Sequence, residues 1–248
     1  MPFFRSYYLR PQVNKFILLF VERSGSTYLV TLLNSHPDTL ALREEFSALR
    51  LKGRGAQEQL ARARQIYTPP LLGPHKAIGF KTKLVDILDL DGFTKILYEY
   101  KCRVIQLMRR NSVKAVVSTL NADRLYQSSG TWNLLKEEDR MPPFAVDFEQ
   151  FDQMLQERVQ WDREMKAYTE RLDLPKLTLY YEDLLEDEGG FLEQVYSFLG
   201  VKPKPVKGKT IKHTRDDLRA VLTNFDELRL RYNGTLYEAM FDEVILKV

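Results

Sequence analysis

A mostly parallel β-sheet covered by helices on both faces is the α/β fold class this sequence predicts, and three observations predict it. A short continuous apolar run bounded by turn residues, at 16–21, reads as a fully buried strand. Segments with apolar residues at helical spacing alternate with predicted strands, the order expected of an α/β protein. The predicted strands at 16–21, 77–80 and 103–108 are each followed by basic residues: Arg23, then Lys81 and Lys83, then Arg109 and Arg110. In open parallel sheets ligands bind beyond the carboxyl ends of the strands, so these cations are expected along one edge.

The elements follow in turn. Residues 1–14 are a polar and aromatic lead-in, and the first strand spans 15–21. A helix over 27–34 stops at His36-Pro37, because proline disfavours helix in the residue before it. Residues 40–46 read as a short extended or loop segment. Gly53 and Gly55 precede an amphipathic helix at 56–67 with Leu60 and Ala63 on one side, and Pro69, Pro70 and Pro74 mark a loop. The second strand is 77–80, followed by a helix at 92–100 and the third strand at 103–108. Ser112 can cap the next helix, which runs to about 128. Residues 127–143 are polar and turn-rich and read as an exposed loop. A long helix spans 148–172, with Phe151, Leu155, Val159, Trp161 and Met165 tracking one side, and the fourth strand is 177–180. A helix at 191–199 closes on Gly200, a C-cap residue. Lysine and proline alternate through the loop 202–208, and helix resumes near Thr214 with Leu218, Val221 and Leu222 in phase.

Composition bounds the class. A chain of 248 residues with 29% charged and 44% hydrophobic residues suits one domain, 1–248, with a sizeable core. The net charge of +3 is spread along the chain, so no nucleic-acid footprint is evident. The single cysteine, Cys102, excludes an intrachain disulfide and reads as a small core residue. No leader pattern precedes the first strand, and no apolar run approaches the roughly 20 residues of a membrane span. A cytoplasmic protein is expected.

The stretch that carries chemistry is the turn Arg23-Ser24-Gly25-Ser26-Thr27 between the first strand and the first helix. A helix N-terminus offers free backbone N–H groups and the positive end of a dipole to an anion. Gly25 lets the anion approach the backbone, Ser24, Ser26 and Thr27 add hydroxyls, and Arg23 supplies a planar fork of donors suited to phosphate or sulfate. An ordinary tight connection with Arg23 in solvent is the bland alternative. A nucleotide kinase or NTPase is the main rival, but the Gly-x-x-x-x-Gly-Lys-Ser/Thr loop is absent. A nucleotide-binding protein without turnover is a further class. His36, His75 and His213 lack metal-ligand spacing, and no Gly-x-Ser-x-Gly elbow is present. Tyr126 and Trp132 suit surface packing or the lining of an acceptor or adenine site.

The turn 23–27, the helix after it and Ser35-His36-Pro37 resemble the 5′-phosphosulfate loop of sulfotransferases that use 3′-phosphoadenosine 5′-phosphosulfate (PAPS). The Arg before Ser-Gly is similar to the bacterial and Golgi-type branches; the cytosolic branch places Lys there. The stretch 104–118 resembles the family's 3′-phosphate motif, a strand ending in Arg with a Ser eight residues later, as Arg110 and Ser118 are spaced. Arg109 fits better counted from the strand, so the choice between the two arginines stays open. Residues 177–184 with 191–200 resemble a segment that supports the fold, and 208–237 look like a tail that closes over the nucleotide. The resemblance implies a P-loop-like three-layer fold and metal-independent in-line transfer of a sulfuryl group to a hydroxyl or amine. The acceptor would be a small molecule, lipid or carbohydrate. It implies that Arg23 to Thr27 hold the 5′ end, with Arg23 acting on the leaving group. Arg109 or Arg110 with Ser118 would grip the 3′-phosphate, with Lys209 or Lys212 folding over it. Cytosolic members carry a His after Lys-Thr, where this chain has Lys83. Other branches are similar to this chain in placing a Glu before an aromatic or Leu after the first helix, so the resemblance implies Glu45, before Phe46, as the base, with Glu44 second and His75 a further candidate, and Lys81 as the electrostatic partner of the transferring group.

Overall fold

The computed structural model describes residues 13–68, 73–132, 134, 136–208 and 214–245. Its sheet has five strands, β1 (Asn14–Phe20), β2 (Thr39–Leu42), β3 (Ala77–Thr82), β4 (Arg103–Met108) and β5 (Lys176–Tyr180), in the order β2-β3-β1-β4-β5. Every pairing is parallel, with Ile17 opposite Phe80 on one side and Val104 on the other. β1 lies at the centre, which is why it is a continuous apolar run. Gly79 lets β3 lie against it: a Cβ there would stand 2.1 Å from the Phe16 carbonyl oxygen.

The helices are α1 (Ser26–Ser35), α2 (Glu45–Leu51), α3 (Ala56–Tyr67), α4 (Leu90–Glu99), α5 (Ser112–Ser129), α6 (Phe148–Arg171), α7 (Tyr181–Glu186), α8 (Glu188–Leu199), α9 (Phe225–Arg231) and α10 (Glu238–Asp242). Successive β1 side chains face opposite layers. Phe16, Leu18 and Phe20 pack with Leu29, Leu33, Val195 and Leu199 of α1 and α8. Ile17 and Leu19 pack with Phe46, Leu60, Phe93 and Met165 of α2, α3, α4 and α6. A third cluster joins Val113 and Val117 of α5 and Phe151 of α6 to Leu218, Leu228 and Phe241 near the C-terminus. Among the described residues no helix is long and apolar enough to cross a membrane.

Of the two readings of 40–46, the extended one holds at its start: residues 39–42 are a strand, pinned at the sheet edge by Asn34, whose amide both donates to the Ala41 carbonyl and accepts from its N–H at 2.8 Å. Other expectations are corrected. Residues 45–46, read as extended or loop, open the helix α2, and 181–186, read as polar stretch, are the helix α7. Asn111 caps α5, accepting from the Lys114 N–H at 2.8 Å, and Ser112 is the first helical residue. No long helix starts at Thr214: only a 3₁₀ turn forms at Leu218–Ala220. There Phe144 donates to the Val221 carbonyl and accepts from the Thr223 N–H, and this strand-like pairing draws the chain out before a second turn can close. Gly200, with φ of +70°, closes α8.

Cys102 is fully buried between α4 and β4, and burial pushes its thiol up to about 12. The thiolate is the reactive form. Iodoacetamide at pH 8 should therefore leave Cys102 unmodified in the native protein and label it in denaturant; rapid native labelling, read by mass spectrometry, would contradict this packing.

Candidate active site

At the end of β1 the chain turns sharply into α1. Arg23 takes a φ of +59° and Gly25 one of +77°. For a residue with a Cβ this left-handed conformation costs about 1–2 kcal/mol, so the surroundings must hold it. They do so from several sides. Ser24 is fully buried and its hydroxyl donates to the Val21 carbonyl at 2.7 Å. Arg109 donates to the Arg23 carbonyl at 3.0 Å. Gly25 abuts the Tyr181 ring so closely that a Cβ would stand 2.3 Å from it. No side chain caps α1, and its first bond runs from the Leu29 N–H to the Gly25 carbonyl. The preceding N–H groups thus lack intrahelical partners, the usual anion-binding feature of a helix start.

Two guanidiniums face this turn. Arg23 Nε donates to Ser118 Oγ of α5 at 2.9 Å. Arg109 is 8% exposed, lies 5.0 Å from the Tyr181 ring centre, and its Nε is buried with no partner. Neither makes an ion pair among the described residues. Burial lowers the pKa of both, and the Arg109 charge lowers Arg23 further. Uncompensated buried charge is expensive, so this is a site that an anion relieves.

The sequence left open which arginine after β4 belongs with Ser118. The structure brings Arg109, Arg23 and Ser118 together and turns Arg110 away. Arg110 is exposed, forks onto Asp183 at 2.5 and 3.0 Å and stacks 4.1 Å from the Tyr180 ring. Consecutive residues at a strand end point to opposite sides, and only one can face the loop.

Lys81 at the end of β3 is 2% exposed and reaches Ser26 Oγ at 3.1 Å, Thr27 Oγ1 at 2.8 Å and Glu44 Oε1 at 2.9 Å. Its three protons thus have three acceptors, and both hydroxyls, accepting from Lys81, keep their own protons to donate. Burial lowers the Lys81 pKa, opposed by Glu44. The Ser24 hydroxyl, by contrast, is spent inside the turn. Glu45 is not part of this group: it accepts from Arg62 Nε of α3 at 2.8 Å. Glu44 is the N-cap residue of α2 and Glu45 its first turn, so neighbouring carboxylates diverge around the helix axis. Lys83 lies 3.5 Å from Glu22 and 3.6 Å from Asp86. His75 is half-buried with Nδ1 unpartnered, and His36 shapes the end of α1 by accepting from the Asp38 N–H. Lys209 and Lys212 lie outside the described residues.

Three supporting residues escaped the sequence reading. Arg158 of α6 donates to the Glu22 carbonyl at 2.7 Å, to Ser24 Oγ at 3.2 Å and to Asp162 at 2.7 Å. Glu182 accepts from the backbone N–H groups of Arg110 at 3.0 Å and Asn111 at 3.2 Å, fixing the turn that carries Arg109. Tyr181 lies between Gly25 and Arg109. The one available signal was Arg158: it falls on the buried side of α6, among Phe151, Leu155 and Met165, where a cation needs a partner.

Comparison with known proteins identifies the family. A model of the sulfotransferase domain matches residues 14–225. Nodulation protein H of Rhizobium tropici is 24% identical over 243 residues, covering 94% of each chain. The crystal structure of a sulfotransferase from Alicyclobacillus acidocaldarius superposes with a TM-score of 0.52 at 16% identity, over 94% of this chain and 97% of that one. Mouse sulfotransferase SULT7A1, solved in complex with PAP, aligns at a TM-score of 0.45 and 15% identity, over 78% of this chain and 61% of that one. With the family's domain matched over most of its length, the chain belongs to the sulfotransferase family and is a PAPS-dependent sulfotransferase.

Proposed function

We propose that the enzyme holds PAPS along the arc from Arg109 through Arg23 to Lys81 and transfers its sulfuryl group to the hydroxyl of an amphipathic acceptor. The observation that carries this reading is the cation pair Arg23 and Arg109, which has no carboxylate partner among the described residues, beside the uncapped start of α1. The residues fit the donor: the orphaned Arg109 Nε and Ser118 suit the 3′-phosphate, and the amides of α1 with the Ser26 and Thr27 hydroxyls suit the 5′ end. Lys209 and Lys212 remain candidates for the 3′-phosphate, in a C-terminal segment (202–248) read as closing over the nucleotide. In support, that segment is tied to α1 by Ser35 Oγ on the Lys207 carbonyl and to α5 by Lys114 on Asp216. We treat 1–248 as one catalytic domain of a cytoplasmic enzyme.

PAPS, when bound, supplies an activated sulfuryl group on a phosphate leaving group. Arg23 and Lys81 are fixed charges directed at the negative charge that gathers on the bridging oxygen, the electrostatic effect that dominates such transfers. Glu44 is the base in this reading, accepting the proton of the acceptor hydroxyl as the new oxygen–sulfur bond forms. It replaces Glu45, which is held by Arg62. For the acceptor we assign the shallow, solvent-open cleft between Trp161 and Met165 on α6 and Leu84 and Val85 beyond β3. Its exposed surface is mostly apolar, with Glu22, Lys83 and Glu164 among the lining residues. An acceptor with an apolar group for the cleft and a hydroxyl for Glu44 matches this division.

Three outcomes are expected. Adenosine 3′,5′-bisphosphate should raise the melting temperature, whereas ATP with Mg²⁺ should not. Arg109→Ala should weaken that binding about tenfold or more, as for a lost charge-assisted bond, and Arg110→Ala should change it little. Stabilisation by ATP-Mg²⁺ alone would favour a kinase. Secondly, Glu44→Gln should abolish sulfuryl transfer while calorimetry shows unchanged bisphosphate affinity, and Glu45→Gln should stay active; the reverse pattern restores Glu45 as the base. Thirdly, Trp161→Ala should raise the acceptor KM several-fold with the KM for PAPS unaltered, and an unaltered acceptor KM would place the acceptor elsewhere.

A further inference from the structure

The two peptide carbonyls that flank Arg23 are each held by a buried guanidinium. Arg158 Nη1 donates to the Glu22 carbonyl at 2.7 Å, and Arg109 Nη1 donates to the Arg23 carbonyl at 3.0 Å. Between them Arg23 sits at φ +59°, a conformation its side chain disfavours. Arg158 is 3% exposed. Its second nitrogen reaches Ser24 Oγ at 3.2 Å, and that hydroxyl in turn donates to the Val21 carbonyl at 2.7 Å. One planar fork therefore grips the turn on both sides of Arg23, and a third bond, Nε to Asp162 at 2.7 Å, fixes the fork on α6. The second oxygen of Asp162 is buried and has no partner among the described residues, so within them the carboxylate serves Arg158.

A buried cation is not needed merely to fill this face of α6, where Leu155 and Met165 are fully adequate packing residues. What its geometry provides is a fixed backbone for the residue before and the residue after Arg23. We propose that Arg158, braced by Asp162, is a positioning residue that holds Arg23 in its left-handed conformation and so aims the Arg23 guanidinium at the 5′ end of the nucleotide. It touches neither donor nor acceptor; it acts through Arg23. The inference rests on the reading of Arg23 as a ligand of the 5′ end. Lysine cannot replace it, because a single ammonium lacks the fork that spans Glu22, Ser24 and Asp162.

The test is a double-mutant cycle on the full chain, read by calorimetric binding of adenosine 3′,5′-bisphosphate to the parent, Arg23→Ala, Arg158→Lys and the double variant. Arg23→Ala and Arg158→Lys are each expected to weaken binding about tenfold, and the double variant to bind within about twofold of Arg23→Ala. If the two losses multiply instead, Arg158 acts independently of Arg23 and the proposal is overturned. Unchanged affinity in Arg158→Lys also overturns it. Unchanged affinity in Arg23→Ala removes the underlying assignment of Arg23, a separate failure visible in that single variant. Should Arg158→Lys fail to fold, as judged by circular dichroism, the neutral pair Arg158→Gln/Asp162→Asn replaces it in the same cycle, with the same expected non-additivity.

Discussion

Burial of positive charge at one strand end is the constraint on which the rest of this structure depends. Arg23, Arg109, Arg158 and Lys81 surround a turn of five residues, and a low-dielectric environment makes each of them costly unless partnered. The partners differ in kind. Arg158 has Asp162 and Lys81 has Glu44, so those two cations are locally neutralised. Among the described residues, Arg23 and Arg109 are satisfied only by a hydroxyl, a carbonyl and an aromatic ring. The excess charge is thus placed on the β4–α5 side of the loop, and the fold tolerates it because β1, its apolar centre fully buried, anchors the turn rigidly.

The surrounding elements can be read as the means of keeping that charge in place. Glu182 sits at the start of α7 so that its carboxylate can take the two N–H groups after Arg109. Tyr181, its neighbour, closes the space between Arg109 and Gly25, which only a residue without a Cβ leaves open. Asn111 both caps α5 and donates to the Met240 carbonyl at 2.7 Å, so the helix that presents Ser118 is tied to the C-terminal segment. Removing any of these would act on the loop without touching a ligand.

Much of this was legible in the sequence, for a definable reason. β1 is buried on both faces and shows as an apolar run, β3 and β4 are largely apolar, and the parallel order follows from their alternation with helices. The basic residues past their ends then fall on one edge. What the sequence hid depends on tertiary contact. β2 is a four-residue edge strand whose pairing is half supplied by the Asn34 side chain. The helix expected at Thr214 yields to the pairing of Phe144 with Val221 and Thr223 across a large sequence separation. The roles of Glu44 and Glu45 turn on a helix start, which pattern places only to within a residue or two. Arg158 was visible only as a charge in an apolar series, and nothing in the chain's order says that it meets Glu22.

The two sides of the loop suggest why a neutral pair stands opposite a charged one. In the proposed reaction negative charge builds on the donor phosphate while the acceptor loses a proton. On the side with net positive charge, Arg23 meets the growing anion from the outset in this reading, while Arg109 serves the 3′-phosphate. On the other side Lys81 begins paired with Glu44 at 2.9 Å. Once Glu44 has taken the acceptor proton, that pairing loses its charge, and Lys81 becomes an uncompensated cation beside Ser26 and Thr27. Its attraction for the leaving group is therefore larger after proton transfer than before. An interaction that strengthens along the reaction lowers the barrier, whereas one already present in the bound state only tightens binding. A lysine buried against a carboxylate, costly in the resting protein, is on this argument suited to the step in which its partner is discharged.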